Sequence, residues 1–333
     1  MRRSLVIGLL SLPLIMQAGP DVPIDIRDSR EMAPRLALGL LISTAMGPDG
    51  SVYLADQSTN QIYRVSPAGL VMDTIGRAGG GPGEFGMLYR IGVRRSNGEV
   101  LAFDIARGEL SRFSSTGAFI SRHAVPYMFT QVDDVVPLDD GTVAIAGTMS
   151  WEGFARDSAI HVFDTAMVHL RSFAPLPPVK SFVVRRLWGA GSLTSDGAGG
   201  LWYAMRLPYE LYHLSSRGRI LGVVHPPFRA KYGPDDQFVI TEDRSHRQIT
   251  TNQRVTVWRP TRVIPLAGGS ILSGRIDPSG FTIDRFDRHG RLSASGRVTD
   301  IRSVIGIDWT RRAFWYVATV DLVPVVKRAQ ITR

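Results

Sequence analysis

Two observations in the 333-residue sequence predict an all-β chain folded as a six-bladed β-propeller of four-stranded antiparallel blades. The first is a recurring unit: a tight turn ending in glycine, an apolar run, a polar gap, a second apolar run and a further glycine turn. The second is its constant length. Gly50 and Gly69 lie 19 residues apart, Gly98 and Gly117 again 19, Gly200 and Gly218 18, and Gly269 and Gly290 21. Chance does not hold such a spacing over four units, and a four-stranded repeat of about 50 residues is the unit of a propeller blade.

Each element follows from the turns. The first turns are Asp49-Gly50, Asn97-Gly98, Asp140-Gly141, Gly199-Gly200 and Gly268-Gly269. Such dipeptides supply the positive φ angles of a short hairpin. The runs that leave them, such as Val52-Tyr53-Leu54-Ala55-Asp56 and Val100-Leu101-Ala102-Phe103-Asp104, carry the β-branched and aromatic residues of strands. A third strand follows with apolar residues three apart: Ile62 and Val65, Leu110 and Phe113, Ile160 and Phe163, Leu211 and Leu214, Ile283 and Phe286. Outer strands such as Leu70 to Ile75 and Arg219 to Val224 come after the second turns, which the third unit lacks in glycine form. An apolar innermost strand precedes every first turn, for example Val132 to Leu138. A sixth, degraded copy runs from Ile305 to Val326 and turns at Thr310-Arg311-Arg312, as terminal repeats are often atypical. It holds only three strands. The orphan segment Val22 to Arg27 is therefore expected to complete the sixth blade and close the ring, because an unpaired last edge invites aggregation.

Composition bounds the chemistry. With 44% hydrophobic and 21% charged residues the chain has ample core and no disorder signature. The absence of cysteine excludes disulfides, thiol nucleophiles, thiolate zinc, iron–sulfur clusters and a cysteine-linked lipid anchor. Lys+Arg 39 against Asp+Glu 30 gives a net charge of +9, and all but Lys180, Lys231 and Lys327 of the cations are arginines. At the N-terminus, Arg2-Arg3, the apolar run Leu5 to Ile15 and the exit Gln17-Ala18-Gly19-Pro20 have the order of a secretory signal peptide, over residues 1–18. The run is too short to span a bilayer, and no later stretch of 18 apolar residues occurs. The expected organisation is a signal peptide followed by one propeller domain, residues 19–333, with an insertion over 226–254, located outside the cytoplasm without a transmembrane segment. The insertion is read as an ordered lid or partner surface.

Between the first two blades lies Gly76-Arg77-Ala78-Gly79-Gly80-Gly81-Pro82-Gly83-Glu84-Phe85. No Gly-Lys-Ser/Thr follows and both flanks are strands, so a nucleotide loop is not supported. The segment resembles the inter-blade signature of NHL-repeat propellers, and Val52 to Asp56 with Asn60-Gln61-Ile62 is similar to the rest of that repeat. The resemblance covers residues 38–124 and fades beyond them. It implies a six-bladed ring like the extracytoplasmic bacterial NHL or TolB-like propellers, a fold that hosts binding proteins, lyases and lactonases alike.

Candidate ligand-binding residues stand where innermost strands begin: Arg35, Arg90, Arg185, Arg186, Arg259, Arg262 and Arg302, with Trp258 and Tyr127 as aromatic partners. Converging guanidiniums would bind carboxylate or phosphate and focus a positive potential at the channel mouth. Trp151 and Trp188 would join Trp258 in an aromatic platform or pack between blades. The expected function is a binding module, a monomer engaging an anionic small molecule, glycan or protein, with no cofactor. The alternative is a metal-assisted lyase or lactonase in the same channel, which alone would call for a divalent cation. For it the sequence offers only Asp133, Asp134 and Glu84, and adjacent aspartates on a strand point to opposite faces. His123 and His225 fall on the rim and His246 in the insertion, while His161, His169, His213 and His289 read as unpartnered. There is no Gly-x-Ser-x-Gly elbow, so no catalytic or metal-binding residue is assigned. Nucleic acid is not expected, since the charge is dispersed without a basic arm.

Overall fold

The computed structural model describes residues 24–126, 129–149, 158–176, 191–205, 209–227, 238–242, 247–251, 259–277, 280–298 and 301–331. Its first strand, β1 (Ile24–Met32), belongs to the last blade. The first blade is β2 (Leu41–Met46), β3 (Val52–Asp56), β4 (Gln61–Val65) and β5 (Val71–Ile75), and the second is β6 (Leu88–Val93), β7 (Val100–Asp104), β8 (Glu109–Phe113) and β9 (Phe119–Ala124). The third comprises β10 (Phe129–Pro137), β11 (Val143–Met149), β12 (Ser158–Phe163) and β13 (His169–Pro175), and the fourth β14 (Gly191–Ser195), β15 (Gly200–Met205), β16 (Glu210–Ser215) and β17 (Ile220–Val224). A separate hairpin, β18 (Phe238–Glu242) with β19 (Arg247–Thr251), lies within the insertion, whose other described residues are 226–227. The fifth blade is β20 (Arg259–Pro265), β21 (Ile271–Asp277), β22 (Gly280–Phe286) and β23 (Leu292–Val298). In the sixth, β24 (Ile301–Asp308), β25 (Ala313–Val320) and β26 (Val323–Ile331) are completed by β1.

The ring is closed. Each innermost strand packs on two others, in the cycle β2, β6, β10, β14, β20, β24 and back to β2. The closing strand pairs antiparallel with β26 from Ile24↔Ile331 to Met32↔Val326, with a bulge between Asp25 and Arg30. It thus reaches five residues past the expected Arg27. Six apolar clusters fill the six junctions between blades: Tyr53, Ile62 and Phe113 lie in the first, for instance, and Leu54, Val65 and Trp315 in the one that closes the ring. The second strand of each blade is buried on both faces because each blade is covered by two neighbours, which is why β3 and β7 read as unbroken apolar runs rather than alternating ones.

The second-turn glycines have a packing reason beyond their turn geometry. At Gly69, Gly117, Gly218 and Gly290 φ lies between 75° and 87°. At each, the end of the preceding blade's outer strand sits against the turn. A Cβ would stand 2.7 Å from Met32 Cε at Gly69, 2.8 Å from Ile75 Cγ1 at Gly117, 2.5 Å from Phe173 Cγ at Gly218 and 3.1 Å from Val224 Cγ2 at Gly290. One turn therefore acts as a socket for the next blade's neighbour, four times around the ring. In the third blade the same turn is made without glycine: Met167 takes φ 63° and donates to the Asp164 carbonyl at 3.1 Å. Its side chain is buried among Leu101, Phe103 and Phe163, and that burial offsets the strained backbone.

Arginines also join blades. Arg64 of the first blade donates to the Ser115 carbonyl of the second at 3.1 Å, Arg171 of the third to Ser216 of the fourth at 2.7 Å, and Arg328 of the sixth to Pro67 of the first at 2.9 Å. Buried Arg94 ion-pairs with Glu99 at 2.7 Å and donates to the Leu138 carbonyl of the third blade. Much of the arginine excess is thus structural.

Candidate functional site

The axis of the ring is lined by one equivalent position per blade, the residue opposite the fourth member of the run that leaves the first turn. These are Ser43↔Ala55, Arg90↔Phe103, Asp134↔Ala146, Ser192↔Ala204, Arg262↔Gly274 and Ser303↔Val317. In five blades a β-bulge immediately precedes this position, at Ile42, Tyr89, Asp133, Thr261 and Arg302. A bulge re-aims the side chains beside it.

The polar members tie the ring together. Arg90 donates through Nε to the Asp133 carbonyl at 2.7 Å and through Nη1 to the Ile42 carbonyl at 3.3 Å, bridging three blades, and its guanidinium lies 4.0 Å from the Tyr89 ring centroid. Arg262 donates through Nη1 to the Ile305 carbonyl at 2.7 Å and through Nη2 to the Thr44 carbonyl at 2.8 Å. Ser43 Oγ accepts from the Ile91 N–H at 3.2 Å, and Asp134 Oδ2 from the Leu193 N–H at 2.8 Å. Ser43, Arg90, Asp134 and Arg262 are nonetheless only half-buried, so part of each remains open to water. Burial pushes the Asp134 carboxyl above its ordinary pKa, against the pull of Arg262, the Leu193 N–H and Arg90. Burial likewise lowers Arg262 from its ordinary value, opposed by Asp134.

Two expectations change here. Arg90 and Arg262 sit half-buried on innermost strands, and their donors are spent largely on backbone carbonyls. Asp133 and Asp134 do not point apart: Asp133 is the bulge residue, and its Oδ2 accepts from the Gly191 N–H at 3.2 Å while Asp134 accepts from Leu193, so both reach the same strand, β14. The alternation rule assumed a regular ladder.

The remaining candidates are placed as follows. Arg35 is exposed in the loop from β1 to β2, and Arg302 is exposed at a bulge where β24 begins; neither makes an ion pair with a described residue. Arg259 begins β20. Arg185, Arg186, Trp258 and Tyr127 lie outside the described residues, as do Trp151, Trp188, His246 and the segment 1–18. Glu84 belongs to the glycine-rich loop: it accepts from the Gly81 N–H at 2.7 Å and from Arg77 Nε at 2.7 Å, and these bonds hold its carboxyl below the usual range. Arg107 donates to the Glu84 carbonyl at 3.0 Å and to that of Gly79. At Gly76 a Cβ would stand 2.2 Å from Phe85 Cε2. The loop is thus a self-clasped blade connection.

Asp56 and Asp104, the acidic residues of the two best-preserved repeats, have one shared role. Asp56 accepts from the Gly39 and Leu40 N–H groups at 2.9 and 3.0 Å, and Asp104 from those of Gly86 and Met87 at 2.6 and 3.1 Å. Each fastens the loop that enters its own blade.

Several histidines expected to be unpartnered are not. His213 bonds Asp196 at 2.8 Å and stacks on Trp202. His161 Nδ1 and His169 Nε2 share Ser172 Oγ at 2.8 and 2.7 Å. Burial drives the His161 imidazole down to about 4 and lowers His169 as well. Among the described residues no group of three or more histidines and carboxylates is arranged to hold a metal ion.

Residues 41–146, the first two blades and half of the third, match the DUF5128 family, a 6-bladed beta-propeller. No curated protein matches the sequence. Among solved structures, the chain is similar to a predicted exported protein of Bacteroides fragilis NCTC 9343 at 12% identity and a TM-score of 0.66, covering 94% of this chain and 96% of that one. It is also similar to virginiamycin B lyase from Staphylococcus aureus, at 13% identity and a TM-score of 0.52 over 86% of this chain and 80% of the lyase. The WD40 repeats of RRP9 match at 10% identity and 0.58 over 94% and 100%. At such identities the likeness speaks for the fold alone, and with the closed cycle of six four-stranded sheets it establishes the chain as a six-bladed β-propeller.

Proposed function

We propose that the protein is an extracytoplasmic propeller of NHL type that acts as a binding module, engaging an anionic ligand or partner on the face where the innermost strands begin. The observation that carries this reading is a division among the arginines. Arg90 and Arg262 are consumed on the axis by backbone carbonyls, whereas Arg35 and Arg302, on loops and strand starts of adjacent blades, stay exposed and make no ion pair with a described residue. Arg185, Arg186 and Arg259 fall at corresponding strand starts in the sequence. Exposed guanidiniums present donors for carboxylate, phosphate or sulfate. The NHL assignment is supported by the matching roles of Asp56 and Asp104, and the location outside the cytoplasm by the order of residues 1–18.

A lyase or lactonase would need carboxylates presented to a cation or substrate. Asp133 and Asp134 instead accept backbone N–H groups of β14, which favours the binding reading. The test is elution from a sulfonated matrix. Arg35→Ala with Arg302→Ala should leave at lower salt than a control of equal charge, Arg217→Ala with Arg219→Ala; coincident elution rejects the reading. A stoichiometric divalent ion in the purified protein would instead favour the enzyme.

A further inference from the structure

The turn between β25 and β26 is built unlike the described turns at the same place in the first two blades. Ile301↔Ala318 is the outermost described pair between β24 and β25, and β1 pairs with β26 only as far as Met32↔Val326. The two strands continue to pair with each other through Thr319↔Pro324 and Val320↔Val323. Residues 320–323 therefore reach past the end of β1 as an exposed knob. It stands on the face where the innermost strands begin, since β25 runs back to that face from the turn after β24. Its two central residues, Asp321 and Leu322, have φ of 50° and 68°, the mirror-image hairpin geometry that Asn-Gly adopts without steric cost and leucine does not. Leu322 is 93% exposed, and Val320 and Val323 flank it at 42% and 46%. An apolar tip kept in water and in a strained backbone points to use at an interface. Arg302, exposed, lies at the base of the knob between the partners of Ala318 and Val317.

From this juxtaposition we propose that the partner on this face is an anionic lipid surface, into which Leu322, Val320 and Val323 insert while Arg302 meets the headgroups. The inference rests on the anion-binding reading above and names its partner. A convex tip of three apolar side chains is too small to form the core of a stable protein interface, which needs about 1,000 Å². A fluid bilayer accepts such a knob with no preformed pocket, and each basic residue near the surface adds attraction to anionic lipid. Asp321 is the one acidic side chain of the tip, and it separates lipid from protein partners.

The test is cosedimentation of the full chain with vesicles of phosphatidylglycerol and phosphatidylcholine, against phosphatidylcholine alone. The wild type binds the mixed vesicles more strongly. Leu322→Asp lowers partitioning at least about tenfold and Arg302→Ala about fivefold, with unchanged thermal melting, and Asp321→Asn strengthens binding. Binding that is indifferent to Leu322→Asp, or absent, overturns the lipid assignment. Weakening by Asp321→Asn does so too, in favour of a protein pocket with a basic rim. If elution from the sulfonated matrix depends on Arg35 and Arg302 while vesicles are ignored, the anion-binding reading survives and only the lipid inference falls.

Discussion

Arg262 of the fifth blade donates to the carbonyl of Thr44 in the first, 2.8 Å away and 218 residues earlier in the chain. Its other terminal nitrogen holds Ile305 of the blade between them. One side chain thus fixes three consecutive blades at the axis, across the junction where the ring closes.

Arg262→Ala should therefore cost stability well beyond a surface arginine. It leaves two axial carbonyls without their donor and removes the cation that pulls down the raised Asp134 carboxyl. A loss of about 2–4 kcal/mol is expected from urea unfolding. Arg217→Ala, exposed on a turn, should change it by less than about 0.5 kcal/mol.

Removing residues 24–32 should open the ring. The deletion takes away Met32 from the closing junction and bares the edge of β26. A destabilisation of at least about 3 kcal/mol is expected, together with self-association visible in sedimentation. An unchanged melting temperature and a monomeric deletion variant would show that closure does not depend on β1.

The third blade should be acid-sensitive. His161 is fully buried, and its imidazole pKa of about 4 lies below the ordinary 6.5. The unfolded chain therefore binds the proton first, so the stability contributed by the neutral ring is complete above about pH 6.5 and is lost as pH falls towards 4. The loss should reach roughly 3 kcal/mol. His161→Phe, placing a ring of similar size beside Phe129, should flatten that part of the stability–pH profile. A profile as steep as the wild type's would assign the acid response elsewhere.

Gly218→Ala tests the socket. The new Cβ meets Phe173 at 2.5 Å with φ at 86°, so strain and collision add, for about 2–4 kcal/mol. Gly199 has nearly the same φ, 88°, but nothing within 4 Å, and its alanine variant should show only the backbone part, about 1 kcal/mol. Equal losses at the two positions would mean the neighbouring blade contributes nothing.

The fold was legible because its signals are local. A glycine at each turn and an apolar run after it are read within one unit, and their spacing multiplies them into a ring. Met167 shows the limit, since a turn made by a buried methionine leaves no glycine to find. The axis was less legible. Arg90 and Arg262 could be placed near it, but their hydrogen-bond partners lie up to 218 residues away, and no spacing reveals that a guanidinium will be spent on Thr44. Asp133 and Asp134 were misdirected by one residue of bulge. The apolar tip at Leu322 carried a faint signal, a leucine where a hairpin turn would favour glycine.

The contact between Val224 and Gly290 has a consequence for where chain length can vary. Val224 is the last residue of β17, and the insertion departs directly after it. The chain therefore makes its excursion only after its outer strand has docked on the following blade, so the ring's curvature is set before the extra residues begin. The same site should accept a foreign peptide of considerable length, making it the natural place to graft one onto this scaffold.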